Sequence, residues 1–137
     1  MPYKGIIFDL DGTLIDSLAD IAYAANLYLE KYSIAPLTVE EYRNYVGWGV
    51  GHLIREILPE NLQSPEIIES GIQEFRRYYA MHWNRETGLY KGIPRLLDTC
   101  AAMDIIITVL SNKPDDFTKT CVRTFLAKWP VETAAGQ

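Results

Sequence analysis

Three consecutive apolar residues, Ile6-Ile7-Phe8, run directly into Asp9-Leu10-Asp11-Gly12-Thr13, and this junction restricts the fold more than any other feature of the chain. A short, uniformly apolar run ended by acidic residues and glycine is the pattern of a strand buried on both faces of a parallel sheet. The carboxylates then stand at the strand's C-terminal end, where open α/β sheets bind their ligands. A second run, Ile105 to Leu110, is apolar and rich in β-branched residues, and it ends in Ser111-Asn112-Lys113-Pro114.

Between the two runs the pattern changes to helical spacing. Leu18, Ile21, Ala22, Ala25 and Leu29 share one face, with Ser17 and Asp20 as a capping box at its start. Thr38 with Glu41 opens a short helix through Tyr45, which stops at Gly47, Gly49 and Gly51, and a further helix covers Leu53 to Leu58. Ser64-Pro65 caps a long helix to about Arg85, with Ile68, Ile72, Phe75 and Tyr79 on one face. Pro94 starts a helix carrying Leu96, Leu97 and Cys100, and a last one carries Phe117, Cys121 and Phe125. The order is strand, helical insertion, helix, strand, helix, so the fold class is α/β. Two clear strands are fewer than the usual four to six of a covered parallel sheet, which marks the sheet as incomplete on its C-terminal side.

Composition narrows the function. Asp and Glu outnumber Lys and Arg by 18 to 13 over 137 residues, with the basic residues scattered, so no nucleic-acid footprint is present. Cys100 and Cys121 lack the spacing of a redox or zinc pair and read as reduced, buried thiols. Met1-Pro2-Tyr3-Lys4 leads into an apolar stretch too short for a signal peptide or a membrane span, and a cytoplasmic protein without membrane or nucleic-acid partners is expected.

Asp9 and Asp11, two residues apart at a strand end with Gly12 forcing a tight turn, can point into one small space lined by the backbone amides of Gly12 and Thr13. A carboxylate there can attack phosphorus to form an aspartyl phosphate, while its neighbour serves as acid and then base. Two negative charges would repel an incoming phosphate, so the arrangement calls for Mg2+ held by oxygen ligands. A calcium loop is excluded, because its sixth and twelfth positions would be Leu14 and Asp20 instead of glycine and glutamate.

Asp9-Leu10-Asp11-Gly12-Thr13-Leu14, with Asp16-Ser17 behind, resembles the first motif of the haloacid dehalogenase-like superfamily. The likeness to its phosphoglycolate phosphatase branch runs along the whole chain, with Tyr90-Lys91-Gly92 on the return and Ser111-Asn112-Lys113 as second motif. It implies a Rossmann-like core (1–15 and 88–137) with an inserted α-helical cap (16–87). It further implies that Asp9 is the nucleophile, that Asp11 is the acid and base, and that the Asp9 carboxylate and Asp11 carbonyl bind Mg2+. Ser111 and the Asn112 amide would hold phosphoryl oxygens. Asp11 disfavours dehalogenation, since dehalogenases of this kind lack the second aspartate.

The family's third motif, a lysine, and its fourth, an acidic pair, have no counterpart in the sequence. Lys113 reads as a surface charge near a helix start, and Val131 to Gln137 reads as an interruption where a further strand would begin. A truncated chain with little turnover, and self-association through the incomplete sheet, are therefore expected. In the cap, Gly47-Trp48-Gly49-Val50-Gly51-His52 is the candidate specificity loop, with Trp48 and Gly49 near substrate and Arg55 available for a substrate carboxylate. The expected activity is hydrolysis of a small phosphomonoester such as phosphoglycolate. A sugar phosphomutase, a phosphonatase using Lys31, and a non-catalytic binding or assembly fragment are the alternatives.

Overall fold

The computed structural model describes residues 3–137; Met1 and Pro2, which open the lead-in to the first strand, lie outside the described residues. The chain divides into two compact units, one running up to Asp16 and again from Gly88 to Gln137, the other Ser17–Thr87.

The first unit is built on a three-stranded parallel sheet in the order β1-β4-β5, with β1 at Gly5–Phe8, β4 at Ile106–Leu110 and β5 at Val131–Ala135. Two further short strands, β2 (Ile15–Asp16) and β3 (Gly88–Leu89), pair antiparallel where the chain leaves this unit and returns to it. Helix α5 (Ile93–Ala102) precedes β4, and α6 (Asp115–Phe125) connects β4 to β5. One face of the sheet is closed: Ile107 and Val109 are fully buried, as are Leu97 and Cys100 of α5 and Thr118 and Cys121 of α6.

The opposite face departs from the expectation of strands buried on both sides. Ile7, Ile106 and Leu110 stay 69%, 52% and 56% exposed. The period-2 alternation of a strand puts these three side chains on the same side of paired neighbours, and among the described residues no helix covers them. The second correction concerns Val131 to Gln137, read above as an interruption. Residues Val131–Ala135 form β5, whose place is set by pairing with β4 and not by an apolar pattern of its own.

The second unit is helical: α1 (Leu18–Glu30), α2 (Val39–Tyr42), α3 (Val50–Ile57), a 3-10 turn at Glu60–Leu62, and α4 (Pro65–His82). Ala24, Ala25, Tyr28 and Leu29 of α1, Leu53 and Ile54 of α3, and Ile68, Gly71, Phe75 and Tyr79 of α4 form its core. Each recurs at helical spacing, so one stripe of each helix is buried. Tyr79 stacks on Phe75 with ring centroids 5.6 Å apart, a packing role.

Two capping motifs read from the sequence are present. Thr38 and Glu41 form the reciprocal box, and Ser64 accepts from the Ile67 amide with proline at the first helical position. The box expected at Ser17 and Asp20 is not formed. Asp20, 1% exposed, instead turns away from its own helix end and accepts hydrogen bonds from the amides of Glu86 and Thr87 and from the Thr87 hydroxyl at 2.7–3.2 Å. A buried carboxylate bonded this way closes the helical unit on itself, tying the start of α1 to the segment after α4.

Because Asp20→Ala strands buried donors at about 1–3 kcal/mol each, it is expected to lower the unfolding free energy by about 3 kcal/mol in urea titrations. Asp20→Asn, which keeps one accepting oxygen, should cost clearly less. Equal stability of all three chains would show that the Glu86 and Thr87 amides do not depend on Asp20.

Candidate active site

The parallel register of β1 on β4 pairs Phe8 with Val109, so Asp9 and Ser111 leave neighbouring strands at the same end of the sheet. Beyond Phe8 the backbone closes at once into a turn. The amides of Leu14 and Ile15 both donate to the Leu10 carbonyl, at 2.9 and 3.1 Å, and Gly12 donates to the Ile15 carbonyl at 2.9 Å. Gly12 holds φ +77°, a conformation that glycine adopts without the Cβ penalty of other residues. Leu10, Leu14 and Ile15 are fully buried beneath the turn, which fixes it to the core and directs Asp9 and Thr13 outward.

This geometry revises one expectation. The Gly12 amide, and more weakly the Thr13 amide at 3.3 Å from the Leu10 carbonyl, are spent on closing the turn and do not line an anion site. What Thr13 offers is its hydroxyl, which lies 3.5 Å from Asp9 Oδ2. Asp9 itself is exposed, as an attacking carboxylate requires.

The second motif is held from its C-terminal side. The Ser111 amide donates to the Ala135 carbonyl, the Gln137 amide to the Lys113 carbonyl, and the Asp115 amide to the Gln137 carbonyl, all at 2.9–3.0 Å. The Thr118 hydroxyl, buried in α6, also donates to the Lys113 carbonyl. Gly136 fits here because it has no side chain: a Cβ would lie 2.2 Å from the Lys113 carbonyl oxygen. Ser111 is 7% exposed, and its Oγ accepts from the Lys113 amide at 3.1 Å, which leaves the hydroxyl proton to donate elsewhere. Asn112 is exposed at the tip of the same loop.

Lys113 is the largest departure from the sequence reading. Far from a surface charge, its side chain is 7% exposed, and Nζ bonds Asp11 Oδ1 at 2.9 Å, with the Asp11 side chain 20% exposed. The ammonium also lies 5.4 Å from the Phe117 ring centroid. A charge-assisted hydrogen bond thus joins the two motifs, 102 residues apart. Nearby, burial pushes the Cys121 thiol up to about 11, Lys113 pulling it down and Asp11 pushing it further up. A thiol so fully protonated at neutral pH is a poor nucleophile.

Asp9 and the Asp11 carbonyl are hard oxygen donors of the kind Mg2+ takes, an ion that retains several waters and needs only one or two protein carboxylates. Among the described residues no group of three His, Cys, Asp or Glu side chains converges on one point. The candidate specificity residues belong to the helical unit. Trp48 is 77% exposed beside His52, Gly49 caps α3, and Arg55 is exposed in its last turn. Lys31, the lysine a phosphonatase would require, is ion-paired with Glu74.

Comparison with known proteins places this geometry in context. The profile described as haloacid dehalogenase-like hydrolase matches residues 6–133. A phosphoglycolate phosphatase of Neisseria meningitidis is 33% identical over 113 residues, covering 80% of this chain and 48% of the relative. One of Thiobacillus denitrificans is 26% identical over 121 residues, covering 86% and 53%. A solved structure from Lactobacillus delbrueckii subsp. bulgaricus, under a provisional phosphoglycolate phosphatase name, superimposes with TM-score 0.89 at 26% identity, covering 98% of this chain and 65% of that one. The chain spans about half the length of the curated relatives it matches.

Gly136→Ala is expected to destabilise the first unit by about 1–3 kcal/mol, the range for forcing atoms into a packed site, as read from its denaturation midpoint. Gly88→Ala, where a Cβ meets open space, serves as the control. An unchanged midpoint for Gly136→Ala would mean that the loop of Ser111 to Lys113 yields freely.

Proposed function

The chain belongs to the haloacid dehalogenase-like hydrolases, and on that premise we propose that it carries the nucleophile-bearing part of a Mg2+-dependent phosphatase acting on a small phosphomonoester of the phosphoglycolate kind. The observation that carries this reading is the convergence of Asp9, Asp11, Ser111 and Lys113 at the ends of two paired strands. The phosphoglycolate phosphatase names of its relatives supply the substrate class.

In this reading the exposed Asp9 carboxylate attacks phosphorus and the ester oxygen leaves as an alcohol, protonated by Asp11. Asp11 then takes a proton from water, which attacks the aspartyl phosphate and releases inorganic phosphate, restoring Asp9. The Ser111 hydroxyl, the Asn112 amide and the Thr13 hydroxyl donate to phosphoryl oxygens as charge builds on them. Mg2+, held by the Asp9 carboxylate and Asp11 carbonyl, supplies charge neutralisation when bound. Residues 16–87 are the cap domain in this reading, and Trp48, Gly49 and Arg55 are its specificity residues. The buried, unbridged Cys100 and Cys121 suit a reducing cytoplasm. The sheet face exposing Ile7, Ile106 and Leu110 suits self-association.

Incubation with Mg2+ and a panel of small phosphate esters including phosphoglycolate is expected to release inorganic phosphate. Asp9→Asn should reduce release to background, and Asp11→Asn should slow it by about 10²–10⁴-fold, the usual contribution of a general acid and base. Transfer of the phosphate back to the organic product would identify a mutase instead. Release unaffected by Asp9→Asn would contradict the assignment.

A further inference from the structure

Lys113 has no role in the reaction derived above, yet it is among the most constrained side chains of the site. Its backbone amide is bonded to Ser111, its carbonyl accepts from Thr118 and Gln137, its stem is buried, and its ammonium is directed onto Asp11. A charge taken out of water this completely is costly unless it is paired, and its ion-pair contact at 2.9 Å is with the carboxylate that must be available for proton transfer. A structural tie alone gives no account of why the tie ends on that carboxylate.

We propose that Lys113 is a phosphoryl-binding residue that exchanges partners: before substrate arrives Asp11 holds its ammonium, and an entering phosphate draws the ammonium onto a phosphoryl oxygen and frees the Asp11 carboxylate to take up from solvent the proton it then gives to the leaving oxygen. This rests on the phosphatase reading above. The Asp9 carboxylate and a dianionic phosphoryl group together outweigh one divalent cation, so a further positive charge at this point stabilises the bound state. The ammonium already spans the two motifs: it extends from the loop of Ser111 and reaches Asp11, two residues from Asp9. The ammonium then trades one charge-assisted hydrogen bond for another, and Asp11 is released only when there is a phosphate to act on.

The test is calorimetric titration of this chain with inorganic phosphate in the presence of Mg2+, for the unmodified protein, Ser111→Ala, Lys113→Met, Lys113→Arg, Asp11→Asn and the Asp11→Asn/Lys113→Met pair. Loss of one hydrogen bond to a charged group corresponds to at least about tenfold in affinity, and that is the expected loss for Lys113→Met. Lys113→Arg, which keeps the charge and the pairing with Asp11, should lose less and guards against misfolding of the methionine variant. Asp11→Asn should bind phosphate at least as tightly as the unmodified chain, and adding Lys113→Met to it should again cost about tenfold. If the lysine effect vanishes in the Asp11→Asn background, or Lys113→Met binds phosphate normally, Lys113 is a structural tie and the inference is overturned while the phosphate site stands. If neither the unmodified chain nor Asp11→Asn binds phosphate, and Ser111→Ala changes nothing, the phosphatase reading falls and this inference with it.

Discussion

Everything at the candidate site depends on one constraint, the parallel register that sets Phe8 beside Val109. Parallel strands share a direction, so both release their loops at the same end of the sheet, and two short motifs far apart in sequence are delivered to one place. A slip of one residue would turn the alternating side chains of β4 inside out, exposing Ile107 and Val109 and burying Ile106 and Leu110. Register is therefore enforced by the hydrophobic pattern of the closed face, and the site inherits its geometry from the core.

The two sides of the site are stiffened by different means. The first motif is fixed from below, by Leu10, Leu14 and Ile15 buried under a turn that gathers amides onto the Leu10 carbonyl. The second is fixed from beside, by the end of β5, whose Ala135 carbonyl and Gln137 amide hold the loop of Ser111 to Lys113. Donor positions set by backbone bonding change little as charge develops, which is the condition for electrostatic catalysis. The link from Lys113 to Asp11 is a side-chain contact, and side chains can exchange partners where backbone ladders cannot.

What the sequence made legible was what depends on neighbouring residues. The apolar runs at Ile6 and Ile105, the caps at Thr38 and Ser64, and the faces of α1 and α4 are local patterns, and each corresponds to an observed element. What escaped depends on distant partners. Asp20 looked like a capping residue but is satisfied by amides 66 and 67 positions away. Val-Glu-Thr-Ala-Ala has no strong strand pattern and becomes β5 because β4 offers it an edge. Lys113 looked like a surface charge because nothing near it in sequence is acidic until Asp115, and its partner lies 102 residues earlier. The amides of Gly12 and Thr13 looked available because the turn that uses them is built through Leu10 and Ile15.

The central claim is that the first and second motifs grip one phosphoryl group carried on Asp9. The most direct measurement is a crystal structure of the chain soaked with Mg2+ and beryllium trifluoride, a mimic of a phosphoryl group on a carboxylate. The account predicts beryllium attached to an Asp9 carboxylate oxygen, with fluorides in hydrogen-bonding contact with Ser111 Oγ and Lys113 Nζ. Beryllium trifluoride attached to a different carboxylate, or attached to Asp9 without contact to the second motif, would contradict it.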